Sequence, residues 1–165
     1  AVRLRQPEDM DPDLVAKPLG ISRRILVASP DYLKRTGPLT HPDELAQRQT
    51  LYYEAADEPQ PQWLLVGPEG AYTTARLRPT LMCREHETIL NAAIHGLGIA
   101  MMPDVACLPA LARQQLMVVL PAWSAPELTV HLAYSARRGM LPSVRALIDF
   151  RFEHLPQIVM QNSVR

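Results

Sequence analysis

Apolar and polar positions follow two different periods along this chain, and the switches between them mark its elements. Residues 1–4 alternate apolar and polar from the first position, residues 14–20 read as a second extended segment, and Ile25, Leu26 and Val27 make residues 24–28 a strand. Ser29-Pro30 then predicts a short helix, because a serine oxygen can accept from a free backbone N–H and proline at the first helical position loses nothing; Gly37 closes it. Residues 42–47 read as another short helix capped by Thr40, and residues 51–54 as a strand. Residues 62–66 and 71–75 flank Gly67-Pro68-Glu69-Gly70 and predict a hairpin packed by Trp63, with residues 77–83 continuing its sheet.

From Glu85 the period becomes helical. Ile89, Leu90, Ala93, Ile94 and Leu97 share one face, and Glu85 and Glu87 stand near the positive helix end. Gly96 and Gly98 are expected to supply a left-handed stop before a strand over residues 99–102. A helix over 104–115, interrupted at Pro109, strands at 116–120 and 128–135 joined by a crossing at 121–127, and a last helix over 142–155 complete the pattern. Leu141 leaves that last helix without a side-chain cap, a loss of about 1 kcal/mol. Strands and helices alternate repeatedly, so the expected class is α/β.

Composition narrows the partners. Seventeen basic residues balance seventeen acidic ones among 165, and the chain shows short Arg pairs instead of the basic stripe that gripping DNA directly requires. No apolar run approaches the roughly 18 residues of a membrane span, and no charged-then-apolar leader opens the chain. Cys83 and Cys107, without a Cys-x-x-Cys, read as two reduced, buried thiols of a cytoplasmic protein.

Several motifs fail on inspection. Gly96-Leu97-Gly98 lacks the third glycine of a dinucleotide fingerprint and runs from helix to strand, the reverse of what a pyrophosphate at a helix N-terminus needs. Asp9, Asp11 and Asp13 have the spacing of a calcium loop, but Leu14 and Gly20 occupy its glycine and bidentate-acid positions. His41, His86, His95, His131 and His154 have no chelating spacing, so no metal or cofactor is expected; His95 serves the last carbonyls of its helix. No Gly-x-Ser-x-Gly is present, and no serine sits beside a base, so no catalytic residue is assigned.

One cluster keeps a chemical reading. Cys83, Arg84, Glu85 and His86 lie where a strand meets a helix N-terminus, whose free N–H groups and dipole suit a carboxylate or phosphate; Arg84 adds a planar donor fork. The competing reading is that Glu85 and Glu87 cap the helix while Arg84 pairs with one of them. Tyr52 and Tyr53 point to opposite faces, so one of the two can reach a cleft.

Three segments together carry a resemblance. Arg24-Ile25-Leu26-Val27-Ala28-Ser29-Pro30-Asp31-Tyr32-Leu33, Gly96-Leu97-Gly98-Ile99-Ala100-Met101-Met102-Pro103 and the helix beginning Pro142-Ser143-Val144, in this order, resemble the effector-binding region of LysR-type transcriptional regulators over nearly the whole chain. The resemblance implies a periplasmic-binding-protein-like fold, two α/β lobes joined by two crossover segments. Residues 1–21 and 126–165 would belong to an incomplete first lobe and residues 22–125 to the second. It implies a small-molecule effector, an organic acid among the candidates, held in the cleft at strand-to-helix junctions: here Cys83, Arg84, Glu85 and His86, with Met102 and Pro103 beside the cleft as secondary candidates. It further implies self-association, and DNA binding only through an N-terminal helix-turn-helix outside this chain. The Arg84-Glu85-His86 junction is more charged than the small and amide residues common there. The alternative is a solute-binding protein of a transport system, which shares the fold and needs an export signal. A third reading is an enzyme on the same lobes, which turnover of a bound ligand would reveal.

Overall fold

Backbone pairing in the computed structural model divides the chain into residues 1–22 with 127–165, and residues 23–126. The structure describes residues 2–4, 14–54 and 60–135, plus Ala146 and Phe150. In chain order the elements are strands β1 (Val2–Leu4), β2 (Leu14–Ser22) and β3 (Arg24–Ala28), helix α1 (Pro30–Thr36), a 3-10 turn (Pro42–Gln47), and strands β4 (Thr50–Tyr53), β5 (Gln62–Val66), β6 (Tyr72–Arg76) and β7 (Pro79–Cys83). Then come α2 (His86–Ile94), β8 (Ile99–Pro103), α3 (Asp104–Ala112), β9 (Met117–Ser124) and β10 (Leu128–Ser135). Of the expected helix over residues 142–155, Ala146 and Phe150 are helical and the rest lies outside the described residues, as do Leu141 and residues 5–13.

In the first unit the strand order is β1-β10-β2, antiparallel throughout, with Val2 opposite Leu132 and Leu128 opposite Ser22. The second unit carries a seven-stranded sheet in the order β6-β5-β9-β3-β8-β4-β7. Strands β4, β7 and β8 run parallel, while β3 pairs antiparallel with β8 and β9. Both faces of this sheet are covered. Leu26, Tyr52, Ile99 and Met101 pack with Tyr32, Leu45 and Trp63 on one side; Val27, Leu51, Ala100 and Met102 pack with Ile89, Ala93, Cys107 and Ala110 of α2 and α3 on the other. That double burial explains why β3 and β8 are continuous apolar runs.

Local chemistry sets the ends of the elements. The Ser29 hydroxyl accepts from Tyr32 N–H at 3.1 Å, and Gly37 ends α1 at φ 80°. At the 3-10 turn the cap is His41, not Thr40: the Thr40 hydroxyl and the N–H groups of Thr40 and His41 all donate to the Glu44 carboxylate at 2.9–3.0 Å. Those donors, Thr40 first, pull the Glu44 carboxyl down to about 2. Helix α3 continues through Pro109 to Ala112 and stops before Gln114, at φ 56°.

Other expectations change in register. Residues 79–83 join the same sheet as the hairpin but at its opposite edge, beside β4. Strand β9 runs past residue 120: Leu120, at φ 50°, kinks it, and the ladder to β3 slips from Leu26–Val119 to Ile25–Ser124. Of the glycine pair, Gly96 alone is left-handed, at φ 75°; at Gly98 a Cβ would stand 2.6 Å from the Gln49 carbonyl oxygen, so close backbone approach selects that glycine. Leu97, beyond the left-handed turn, is exposed and does not continue the inward helix face.

Candidate functional site

Three parallel strands finish at one edge of the second unit's sheet: β4 at Tyr53, β7 at Cys83 and β8 at Pro103, with Arg24, at the start of antiparallel β3, opposite Pro103. The six residues named from the sequence all lie there. Cys83 is half-buried, and its thiol donates to the Glu85 carbonyl at 3.4 Å. Arg84 stays exposed and pairs through Nε with Glu54 Oε2 at 3.5 Å, so its partner is neither Glu85 nor Glu87. Pro103 is half-buried, whereas Met102 is fully buried beneath this edge, in the core with Ile89 and Cys107.

The two helices that start here differ at their N-termini. At α3 the first amides are engaged: Asp104 N–H donates to the Arg23 carbonyl at 2.9 Å and Val105 N–H to Asp104 Oδ1 at 2.7 Å. At α2, Glu85 occupies the cap position but its side chain makes no cap bond; its Oε2 instead accepts from the Thr88 hydroxyl at 3.0 Å. The first-turn amides of α2 therefore keep the donor capacity and positive dipole end that suit an anion.

His86 opens α2 and lies nearly flat on Tyr53, ring centroids 3.9 Å apart and 24° between planes. Loss of water around the imidazole, and then the charge of Arg24, hold it below its ordinary value. The unfolded chain therefore takes up this proton before the folded one does, and the folded state loses stability as pH falls below the ordinary value of about 6.5. His86→Gln should thus show a smaller drop in Tm than the unaltered chain between pH 7.5 and 5.5; equal drops would contradict this assignment.

Tyr53, Glu54 and Arg24 belong to this edge, and residue patterns alone identify Tyr53 only as one of two tyrosines. Tyr52 is the core member of that pair, packed beside Trp63 and Leu65. Arg24 could not be assigned from sequence, because its place depends on β3 running antiparallel to β8. His95 does satisfy a helix end, its Nδ1 lying 2.8 Å from the Asn91 carbonyl oxygen. Cys107 is fully buried, and burial with the nearby Asp104 charge pushes its thiol up to about 12, which makes it a packing residue. A cavity of about 320 Å³ beside Tyr32, Glu44 and Arg48, and one of about 750 Å³ beside Pro30, Ile94 and Met117, lie at the other end of the strands. Among the described residues no cluster of His, Cys, Asp or Glu could hold a metal, and no helix is long and apolar enough to cross a membrane.

Residues 1–156 match the LysR substrate binding domain. The chain belongs to that family. The LysR substrate-binding domain is the effector-sensing part of LysR-type transcriptional regulators, and its fold is periplasmic-binding-protein-like α/β. An HTH-type transcriptional regulator of Xanthomonas campestris is 29% identical over 85% of this chain and 41% of that protein. The uncharacterized HTH-type transcriptional regulator YhjC of Escherichia coli is 32% identical over 87% of this chain and 47% of that protein. The full-length structure of the Vibrio cholerae virulence activator AphB superposes with a TM-score of 0.80 at 30% identity, over 93% of this chain and 51% of that one. The chain thus spans less than half the length of these two curated relatives, which are transcriptional regulators. That kinship favours a regulator over a transport solute-binding protein.

Proposed function

We propose that this LysR substrate-binding domain senses a small organic anion at the edge formed by β4, β7 and the start of α2, and passes that binding on to transcription. The observation that carries the reading is the meeting of an uncapped α2 N-terminus, the Arg84 fork and the Tyr53–His86 stack at the carboxyl ends of parallel strands. Ligands of open α/β sheets bind at such ends. The α2 amides and Arg84 would take a carboxylate; a His86 kept neutral, still able both to donate and to accept, would take a polar group. Met102, buried below, would fix the floor, and Pro103 and Cys83 the sides.

In this reading residues 1–21 with 126–165 and residues 22–125 are the two lobes, and the ligand favours one arrangement of the protein over another, acting by its difference in affinity for the two. The complete protein is a cytoplasmic, self-associating regulator that contacts operator DNA through a helix-turn-helix outside this chain, and it binds its effector without turning it over. Calorimetry with a carboxylate selected by thermal shift tests the site. Arg84→Ala should weaken binding by about 1–3 kcal/mol, roughly 5- to 150-fold. Unchanged affinity would remove Arg84 from the site.

A further inference from the structure

We propose that the carboxylate taken at the β4–β7–α2 edge belongs to an α-amino acid, whose ammonium group is selected by Glu54. The proposal rests on the carboxylate reading of this edge and adds the second charge of the ligand. Glu54 follows β4 and donates its backbone N–H to the Cys83 carbonyl at 2.9 Å, which fixes it beside the end of β7, just before Arg84. Its Oε2 then lies 3.5 Å from Arg84 Nε. The Arg84 side chain is 66% exposed and that of Glu54 45%, so the pair is a weak, screened one that a ligand can open.

A carboxylate that takes Arg84 leaves Glu54 negative and unpaired beside the ligand's own negative charge. Around it Glu85 and Glu87 are carboxylates too, and the Glu85 Oε2 already accepts from the Thr88 hydroxyl. The His86 imidazole, held below its ordinary value by loss of water and by the charge of Arg24, stays neutral near pH 7 and supplies no counter-charge. A ligand that brings an ammonium group with its carboxylate restores both pairings: carboxylate to Arg84 and the α2 amides, ammonium to Glu54. Spacing selects the α-amino acids among such ligands. Their ammonium nitrogen and carboxyl carbon stand about 2.5 Å apart, close enough to meet two protein charges that are themselves neighbours. A simple carboxylate is disfavoured by the charge it strands, the kind of penalty by which a site rejects one ligand in favour of another.

Thermal shift followed by calorimetry on the full 165-residue chain tests the selection. The probes are a panel of common L-α-amino acids, each beside the acid that carries hydrogen in place of the ammonium group. The best amino acid should bind roughly five- to tenfold tighter than its ammonium-free counterpart. Glu54→Gln should erase that preference, weakening the amino acid and tightening the simple acid, which no longer strands a charge. Glu87→Gln removes a negative charge from the same helical turn, outside the Arg84 pair, and should keep the preference. Equal binding of the two ligands, a preference that survives Glu54→Gln, or one that Glu87→Gln removes as completely would overturn the ammonium assignment and leave the carboxylate site standing. Binding of neither ligand class overturns both.

Discussion

Trp63→Ala is expected to destabilise the second unit by about 3–5 kcal/mol, the usual range for removing a buried tryptophan. Trp63 is 5% exposed and packs with Leu65, Ala75 and Leu77 of the β5–β6 hairpin and with Tyr52, Val119 and Ala125 of the main sheet. The hairpin needs that contact, because among the described residues Val66–Ser124 is the one register pair between β5 and β9. Side-chain burial, more than ladder hydrogen bonds, holds β5 and β6 to the rest. Denaturant unfolding measures the loss, and hydrogen exchange should show amides of residues 62–76 opening before those of β3 and β8. A loss below 1 kcal/mol, or uniform opening, would mean that the hairpin is held by something else.

Gly98→Ala carries the second large effect, about 2–3 kcal/mol, at the upper end of the cost of overpacking a dense interior. The added Cβ would stand 2.6 Å from the Gln49 carbonyl oxygen and 2.9 Å from its carbon, backbone atoms that cannot swing aside. Gln49 is itself fixed: its carbonyl accepts from Ile99 N–H at 2.9 Å, and its N–H donates to the Tyr32 hydroxyl at 3.1 Å. Moving it would disturb the start of β4 and, through β4, the position of Tyr53. Gly96→Ala strains one left-handed residue and should cost roughly 1–2 kcal/mol. Thermal and denaturant unfolding should rank Gly98→Ala as the more damaging; the reverse order would contradict the close-approach argument.

The same glycines mark the limit of what residue patterns convey. The helix-to-strand passage at residues 86–103 was legible from its period and from glycine and proline. That Gly96 serves a left-handed turn and Gly98 a backbone contact with Gln49 was not, since the contact joins segments half a chain-unit apart. Strand identity was likewise readable for β3, β5, β6 and β10, each with its own alternation or apolar run. Sheet order was not: β6 and β7 are neighbours in sequence and lie at opposite edges, because pairing partners are decided by long-range packing. The kink at Leu120 hid the second half of β9 for a local reason, a left-handed residue followed by proline breaking the period-2 pattern.

The candidate site divides in the same manner. Cys83, Arg84, Glu85 and His86 were accessible because a strand-to-helix junction is a local feature with known chemistry. Glu54 as the partner of Arg84, Tyr53 as the platform for His86, and Arg24 as the charge near it all depend on which strands run beside β7 and in which direction. Local sequence named the donors, and topology chose their neighbours.

Nitrogen-15 NMR titration of this chain with the carboxylate found by thermal shift tests the proposed ligand site at β4, β7 and α2 most directly. Saturable shifts concentrated at Tyr53, Glu54 and residues 84–88, absent for the matching primary amide, are the predicted result. Shifts concentrated instead around Tyr32, Glu44 and Arg48, or equal shifts with carboxylate and amide, would contradict it.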